Sequence, residues 1–459
     1  MLVLFSDIHL TDGSSGETIN AEAFGQFADQ VAAMAVRRRA SRVRLVLLGD
    51  GLDVIRSTRW SQHSPSCRPW NPPSEEQEAV TLEILRSIID HNAAALKCLR
   101  EIPRHVAERS HLPSDRVQFD YVLGNHDWLI NRYASCRRLV AQHLRLPRIY
   151  AEHGFPFEFV SPPGAYDVVA RHGNEYDRKN SNSAEGWEAS SFGDAVVVEL
   201  VNRWPLALAE ELAGDPACDD LLRRLREIDN VRPCMHIPAW ILHTISKVGG
   251  GHPRFHAAAR RAARRCVDDF RRNPALDGVM RQHLRWHERL GFRVFLEQIR
   301  HMKVGTLDLW TGLADRVINA WQILTHAPGS RYAGRALAER GADGLPPRFV
   351  VYGHTHRVES VPLGPLARDG ADRFYLNTGT WRPVWELART ADGSTHFASW
   401  KEMSYVVIYA TGEGGRAHEF EVRSGSLRDR PGAPAPASED VGRQRENPIK
   451  TAYPVRASP

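Results

Sequence analysis

Val43-Arg44-Leu45-Val46-Leu47-Leu48-Gly49-Asp50-Gly51-Leu52-Asp53 is the stretch on which the reading of this chain turns. A short run rich in Val and Leu reads as a β-strand, a glycine closes it, and two carboxylates follow at once. The same plan recurs on both sides. Leu2 to Ser6 leads into Asp7 and His9, and Phe119 to Leu123 leads into Gly124-Asn125-His126-Asp127. A run ending at Ala170 leads into His172-Gly173, and Arg348 to Tyr352 leads into Gly353-His354-Thr355-His356. Helical patterns at Ala21 to Arg38 and from about Ser74 to Leu99 separate the first of these runs, which is the rhythm of an α/β sheet. Ser74 with Gln77 three residues later reads as a capping box, and the polar loop from Arg56 to Pro73 before it is a candidate rim for a site.

An isolated D-x-H or H-x-H arises by chance in many chains and often marks only a capped turn. Five in succession, each just after a strand, are a different matter. In open α/β sheets residues at the carboxyl ends of strands converge on one crevice however far apart they lie in sequence. Asp7, His9, Asp50, Asn125, His172, His354 and His356 are therefore candidate metal ligands. Imidazole, carboxylate and amide oxygen together suit manganese, iron, zinc or nickel, and no thiolate selects a softer ion.

The ordered set D-x-H, G-D-x-x-D, G-N-H-D, lone His and G-H-x-H resembles the calcineurin-like metallophosphoesterase superfamily. The resemblance covers residues 1–177 and 346–423. It implies a β-sandwich of two sheets flanked by helices, with a large helical insertion, and two divalent metal ions, manganese first among the candidates. In that reading Asp7, His9, Asp50 and His356 hold one ion, Asp50, Asn125, His172 and His354 hold the other, and Asp50 bridges. His126 faces the scissile phosphate and pairs with Asp53, while Asp127 supports the same loop. Trp128, Asn174 and Arg357, each close to a motif, are candidate substrate contacts, although each is also well placed simply to pack or cap a loop.

The implied reaction is hydrolysis of a phosphomonoester, phosphodiester or pyrophosphate bond in a phosphorylated substrate. Ser/Thr protein phosphatases fit poorly, because they carry Glu where Asp127 stands and Arg-Gly where Val54-Ile55 stands. Nucleotide-lipid pyrophosphohydrolases generally carry Arg in place of His126, but Ser6-Asp7-Ile8-His9-Leu10 and Gly353-His354-Thr355-His356-Arg357 look similar to theirs, so that class stays open as an alternative. A DNA or RNA nuclease of the repair type shares Gly-Asn-His-Asp and stays open, as does a metal-binding scaffold outside the enzyme class.

Residues 178–345 show long helical patterns with few strands and read as an insertion or cap; the Gly249 to Gly251 run is a candidate hinge. Arg260, Arg261, Arg264, Arg265, Arg271 and Arg272 recur at helical spacing, with Arg285 possible as a neighbour, and make a basic face suited to nucleic acid. The bland alternative is a solvated face partly paired with Asp268 and Asp269. Trp310, Leu313, Val317, Trp321 and Leu324 read as a buried helical stripe. Strand patterns return at Arg373 to Leu376, Ser404 to Tyr409 and Glu419 to Arg423, and residues 424–459 have the composition of a disordered tail.

The 459 residues are 42% hydrophobic and 25% charged with a formal charge of +5, ordinary values that name no function. Six cysteines without a C-x-x-C pair read as reduced thiols. No run approaches a membrane-spanning length, and the amino-terminal sequence leaves no room for a signal peptide, so a cytoplasmic location is expected.

Overall fold

The structure, a computed structural model, describes residues 1–162, 164–182, 186–212, 218–232, 236–248, 252–300, 331–365, 370–389, 391, 395–410, 413 and 419–427. The chain is mixed α/β. It first lays down β1 (Leu2–Phe5), β2 (Val43–Leu48) and β3 (Val117–Val122) as parallel neighbours. A second sheet follows from β4 (Glu158–Val160), β5 (Val168–Arg171), β6 (Phe349–Tyr352), β7 (Val358–Pro365) and β8 (Asp372–Thr378), in the order β4-β5-β6-β8-β7. The chain then returns to the first sheet with β9 (Pro383–Arg389), β10 (Thr395–Ile408) and β11 (Phe420–Leu427), giving the order β11-β10-β1-β2-β3 with β9 paired to β10.

Alternation along the strands builds the layers. Leu2, Leu4, Val46, Leu48 and Val122 of the first sheet share one core with Val168, Ala170, Phe349, Val351 and Leu376 of the second. Val3, Phe5, Leu45 and Leu47 point the other way, into a core with the helices Ala21–Arg37 and Ala93–Ser110. β1 is thus buried on both faces, which is why Leu-Val-Leu-Phe reads as an unbroken apolar run. Val350, Tyr352 and Tyr375 on the outer face of the second sheet are covered by Ala333 and Ala336 of the helix Arg331–Ala336.

Several expectations change. The single helix expected from Ser74 to Leu99 is two, Glu75–His91 and Ala93–Ser110, because Asn92 ends the first and donates its side-chain amide to the carbonyls of Ile88 and Thr11. Ser74 does cap Gln77 N, but the Gln77 side chain does not return to Ser74; it takes bonds from Arg132 and Tyr133 and donates to the Arg68 carbonyl. β4, β7 and β9 were not foreseen, and β10 starts at Thr395, well before Ser404. β11 extends to Leu427, so residues 424–427 are strand and not tail; residues 428–459 lie outside the described residues.

Residues 1–427 form one compact unit, so the helical insertion is not a separate body. Its helices Arg203–Glu211, Asp219–Leu225, Ile237–Val248 and Pro253–Arg272 enclose a core that includes Phe397 of β10, with Trp385 and Leu387 of β9 packed against it. The hinge at 249–251 and the stripe from Trp310 to Leu324 fall outside the described residues. Among the described residues no helix is long and apolar enough to cross a membrane.

Candidate metal centre

Asp7 and Asp50 stand two residues beyond β1 and β2, Asn125 three beyond β3, His172 one beyond β5 and His354 two beyond β6. Each loop must turn at once to aim its side chain back over the strand ends. Asp7, His9, Asp50, His354 and His356 accordingly adopt left-handed backbone, with φ of 54°, 49°, 53°, 67° and 58°. Non-glycine residues in that region cost of order 1 kcal/mol or more each and persist only where the surroundings enforce them. The loops lock one another: His9 N donates to the Asp50 carbonyl at 2.8 Å, Asp7 N to the Gly49 carbonyl at 3.2 Å and Trp381 N to the Asp7 carbonyl at 3.1 Å. Gly124 is required by close approach, since a Cβ there would run into the Asp50 carboxylate and the His172 ring.

The side chains converge in three overlapping groups: Asp7 with His9 and His356, Asp7 with Asp50 and His172, and His9 with Asp50 and His126. His356 Nε2 lies 3.2 Å from Asp7 Oδ1 and 3.2 Å from His9 Nε2, and His172 Nε2 lies 3.1 Å from Asp50 Oδ2 and 3.1 Å from Asn125 Oδ1. Asp7 Oδ1 and Asp50 Oδ2 are buried and accept no hydrogen bond. Two buried carboxylate oxygens without donors, each facing imidazole nitrogens, are costly in a protein interior unless a cation sits among them. The residues present therefore fit divalent metal ions. The ring nitrogen opposite the cluster is fixed in two of the histidines: His172 Nδ1 meets the Leu48 carbonyl at 2.8 Å and His9 Nδ1 meets Asp53 Oδ2 at 2.7 Å, leaving each Nε2 aimed inward. Burial would lower the His172 pKa, but the Asp50 and Asp7 carboxylates outweigh it and raise it to about 10.

His354 joins none of the three groups. Its ring packs edge-on against His172 and its Nε2 points to Asp177 Oδ2 at 3.4 Å. His126, which was expected to stand outside the ligand set, lies within ligand distance of His9 and Asp50. Its Nδ1 meets Asp53 Oδ1 at 2.8 Å, so one carboxylate orients both His9 and His126. Burial pushes the His126 pKa down, but the Asp53 and Asp50 carboxylates outweigh it and raise it to about 9.

Asp127 is placed behind the cluster. It accepts bonds from Gly124 N at 2.6 Å, Gly51 N at 3.0 Å and the Tyr121 hydroxyl at 2.6 Å, so it ties two loops together and does not face the reaction space. Burial and the nearby Asp50 raise its pKa to about 7. Trp128 and Asn174 both line a cavity of about 220 Å³ that Asn125 also borders, together with Asn180, Trp187 and Asp194. Arg357 is exposed and does not border that cavity.

Sequence reasoning missed a second set of charges. Asp229 and Arg232 come from the insertion, Arg56 from the loop after Asp53, and Arg382 from the start of β9. Asp229 Oδ2 lies 3.1 Å from both Arg56 Nε and Arg382 Nη2, and Arg232 Nη2 reaches His356 Nδ1 at 3.0 Å. Burial and then Arg232 hold the His356 pKa well below its ordinary value. The only available signal was Arg56, three residues after Asp53; the others carry no spacing relative to any motif. Three of the six arginines on the insertion's basic face are paired: Arg261 with Glu211, Arg265 with Glu210, and Arg271 with Glu297. Asp268 and Asp269, the expected partners, pair instead with Arg300 and Arg203. No family model matches the chain, and no curated protein or solved structure does either.

Proposed function

We propose that the protein is a metal-dependent phosphoesterase of the metallophosphoesterase type, which hydrolyses a phosphate ester or anhydride with two divalent ions. The observation that carries this reading is the pair of donor-less buried oxygens, Asp7 Oδ1 and Asp50 Oδ2, among the imidazole nitrogens of His9, His172 and His356. Two sheets sharing one core, with helices outside and the cluster at the strand ends, support the corresponding sandwich architecture. Asp7, His9, Asp50 and His356 would hold one ion and Asp50, Asn125 and His172 the other, with His354 completing the second after turning from Asp177. Bound ions would supply Lewis acidity, which lowers the pKa of water and neutralises phosphate charge.

The chain's own contribution is positioning and a proton. Asp53 fixes the His126 ring through Nδ1, and in this reading the other ring nitrogen serves as the proton donor to the leaving oxygen. Asp53 also sets the His9 tautomer. Trp128 and Asn174 shape the cavity beside Asn125 and are the substrate contacts of this reading. A cytoplasmic site of action is supported by Cys67, Cys98, Cys136, Cys218 and Cys266 being free thiols.

The test is hydrolysis of an aryl phosphomonoester and an aryl phosphodiester in manganese, with iron, zinc and nickel in turn. Wild type is expected to turn over at least one, His126→Ala to lose about 10²- to 10⁴-fold in kcat, and Asp50→Asn to lose both activity and bound metal. A chain that binds no divalent ion overturns the reading.

A further inference from the structure

We infer that the cavity beside Asn125 is the pocket for the alcohol part of the substrate, and that it selects phosphate esters whose alcohol carries a primary ammonium group, with Glu175 as the residue that receives it. This substrate class rests on the phosphoesterase reading. At about 220 Å³ the cavity is smaller than the roughly 300 to 1,000 Å³ of sites that enclose a whole ligand, so it takes one short branch of a molecule whose phosphate lies at the metal centre. Asn125 borders the cavity and meets His172 Nε2 at 3.1 Å, which joins the two places. Gly186 and Trp187 of the lining are exposed, so the cavity is reached from solvent.

The lining is made of acceptors. No lysine, arginine or histidine is among the described residues that border the cavity. Asn174, Asn180 and Asn182 each turn the side-chain nitrogen to the protein, donating to the Asn180 carbonyl at 3.1 Å, to Asp177 Oδ2 at 2.7 Å and to the Ser190 carbonyl at 3.3 Å. None of their Oδ1 atoms accepts a hydrogen bond from a described residue. Of the two carboxylates, Asp194 is saturated, since Trp128 Nε1, the Ser190 hydroxyl and both the backbone nitrogen and the hydroxyl of Ser191 donate to it. Glu175 is the opposite case: both of its oxygens are buried and neither has a hydrogen-bond partner. A buried carboxylate in that condition is costly until a donor reaches it.

The charges around Glu175 point the same way. The cation paired with it, Arg171, lies 3.7 Å from Oε1 and is shared with Glu158 at 2.8 Å and Glu339 at 3.3 Å, so one guanidinium serves three carboxylates. Arg171 and Arg132 lie over the rings of Trp187 and Trp128, at 5.8 Å and 4.5 Å, but neither borders the cavity. His172, also within electrostatic reach of Glu175, is turned toward Asp50 at 3.1 Å. An ammonium group has three donors and no acceptor, which matches a lining of acceptors; a hydroxyl would bring an acceptor of its own, and a carboxylate or a second phosphate a like charge. The site is then positive where the ions bind and negative in the cavity, the charge order of a phosphate joined through a short chain to an ammonium. In the reaction water adds to the phosphorus, the bond from phosphorus to the alcohol oxygen breaks, that oxygen leaves with the electron pair and takes the proton of His126, and the proton of the water goes to solvent.

Calorimetric titration of the full-length, metal-loaded protein with phosphonates, which are not hydrolysed, reads the pocket as a ratio of affinities. The probes are 2-aminoethylphosphonate and 3-aminopropylphosphonate, their alkyl matches propylphosphonate and butylphosphonate, and 3-phosphonopropionate. Wild type is expected to bind the amino compound of at least one length about tenfold or more tightly than its alkyl match, the size of one charge-assisted contact, and 3-phosphonopropionate more weakly than either. Glu175→Gln, which keeps the shape and removes the charge, is expected to bring the amino-to-alkyl ratio to near one, and Arg281→Gln, at an exposed surface pair, to leave it unchanged. Matching thermal melts certify that the variants fold, and the wild-type ratio decides on its own where Glu175→Gln does not. A wild-type ratio near one at both lengths, 3-phosphonopropionate bound as tightly as the amino compounds, or an unchanged ratio in folded Glu175→Gln overturns the inference. Because turnover is not read, a protein that keeps the ratio but hydrolyses no phosphate ester would remove the hydrolase reading alone, and an active enzyme without the preference would remove this inference alone.

Discussion

Asp53 and Asp127 show how two carboxylates in adjacent motifs come to do different work. Asp53 gives one oxygen to His9 and the other to His126, so it acts through imidazoles that face the cluster. Asp127 gives both oxygens to the loops, taking three donors at once. Asp127→Ala would leave Gly124 N, Gly51 N and the Tyr121 hydroxyl buried without an acceptor. A loss of about 2 to 4 kcal/mol is expected in urea unfolding, from the desolvation of the abandoned donors. A stability unchanged within about 0.5 kcal/mol would mean that these donors find other acceptors.

At the scale of elements, the parallel strands β1 and β2 were the most legible, because each is a mostly apolar run with a polar residue or a glycine directly after it. β9 was not, although Trp385 and Leu387 alternate with Glu386, since Pro383 opens it and prolines argue against interior strands. The gathering of Asp7, His9, Asp50, Asn125 and His172 was legible for the same reason as the strands: each follows one. Asp229, Arg232 and Arg382 reach the site only through long-range packing and follow no motif. The edge of the first sheet carries its own electrostatic device. Burial would raise the Glu421 pKa, but bonds from Arg423, Tyr409 and Arg38 outweigh it and bring it down to about 2. A carboxylate depressed on folding stabilises above its unfolded pKa, and that contribution is lost as pH falls through the folded value. Glu421→Gln is therefore expected to cost about 1 kcal/mol at pH 7, discounted for its partial exposure, with the difference from wild type closing between about pH 4.5 and pH 2. A difference that persists in full at pH 2 would show that the effect is packing and not charge.

For the whole molecule, β9 is the joint. It pairs with β10 of the first sheet on one side, and on the other Arg232 N donates to the Trp385 carbonyl at 2.8 Å while the Trp385 ring packs against Trp240 of the insertion. Trp385→Ala is expected to lower stability by about 3 kcal/mol, the lower end for removing a large aromatic, with thermal unfolding still a single transition. Two separate transitions in wild type would show that the insertion folds independently. The joint also fixes what can be inherited separately. Arg232 reaches His356 from the very segment that is stitched to β9, so exchanging this insertion for another would alter the surroundings of His356 and the folding of the chain in one event.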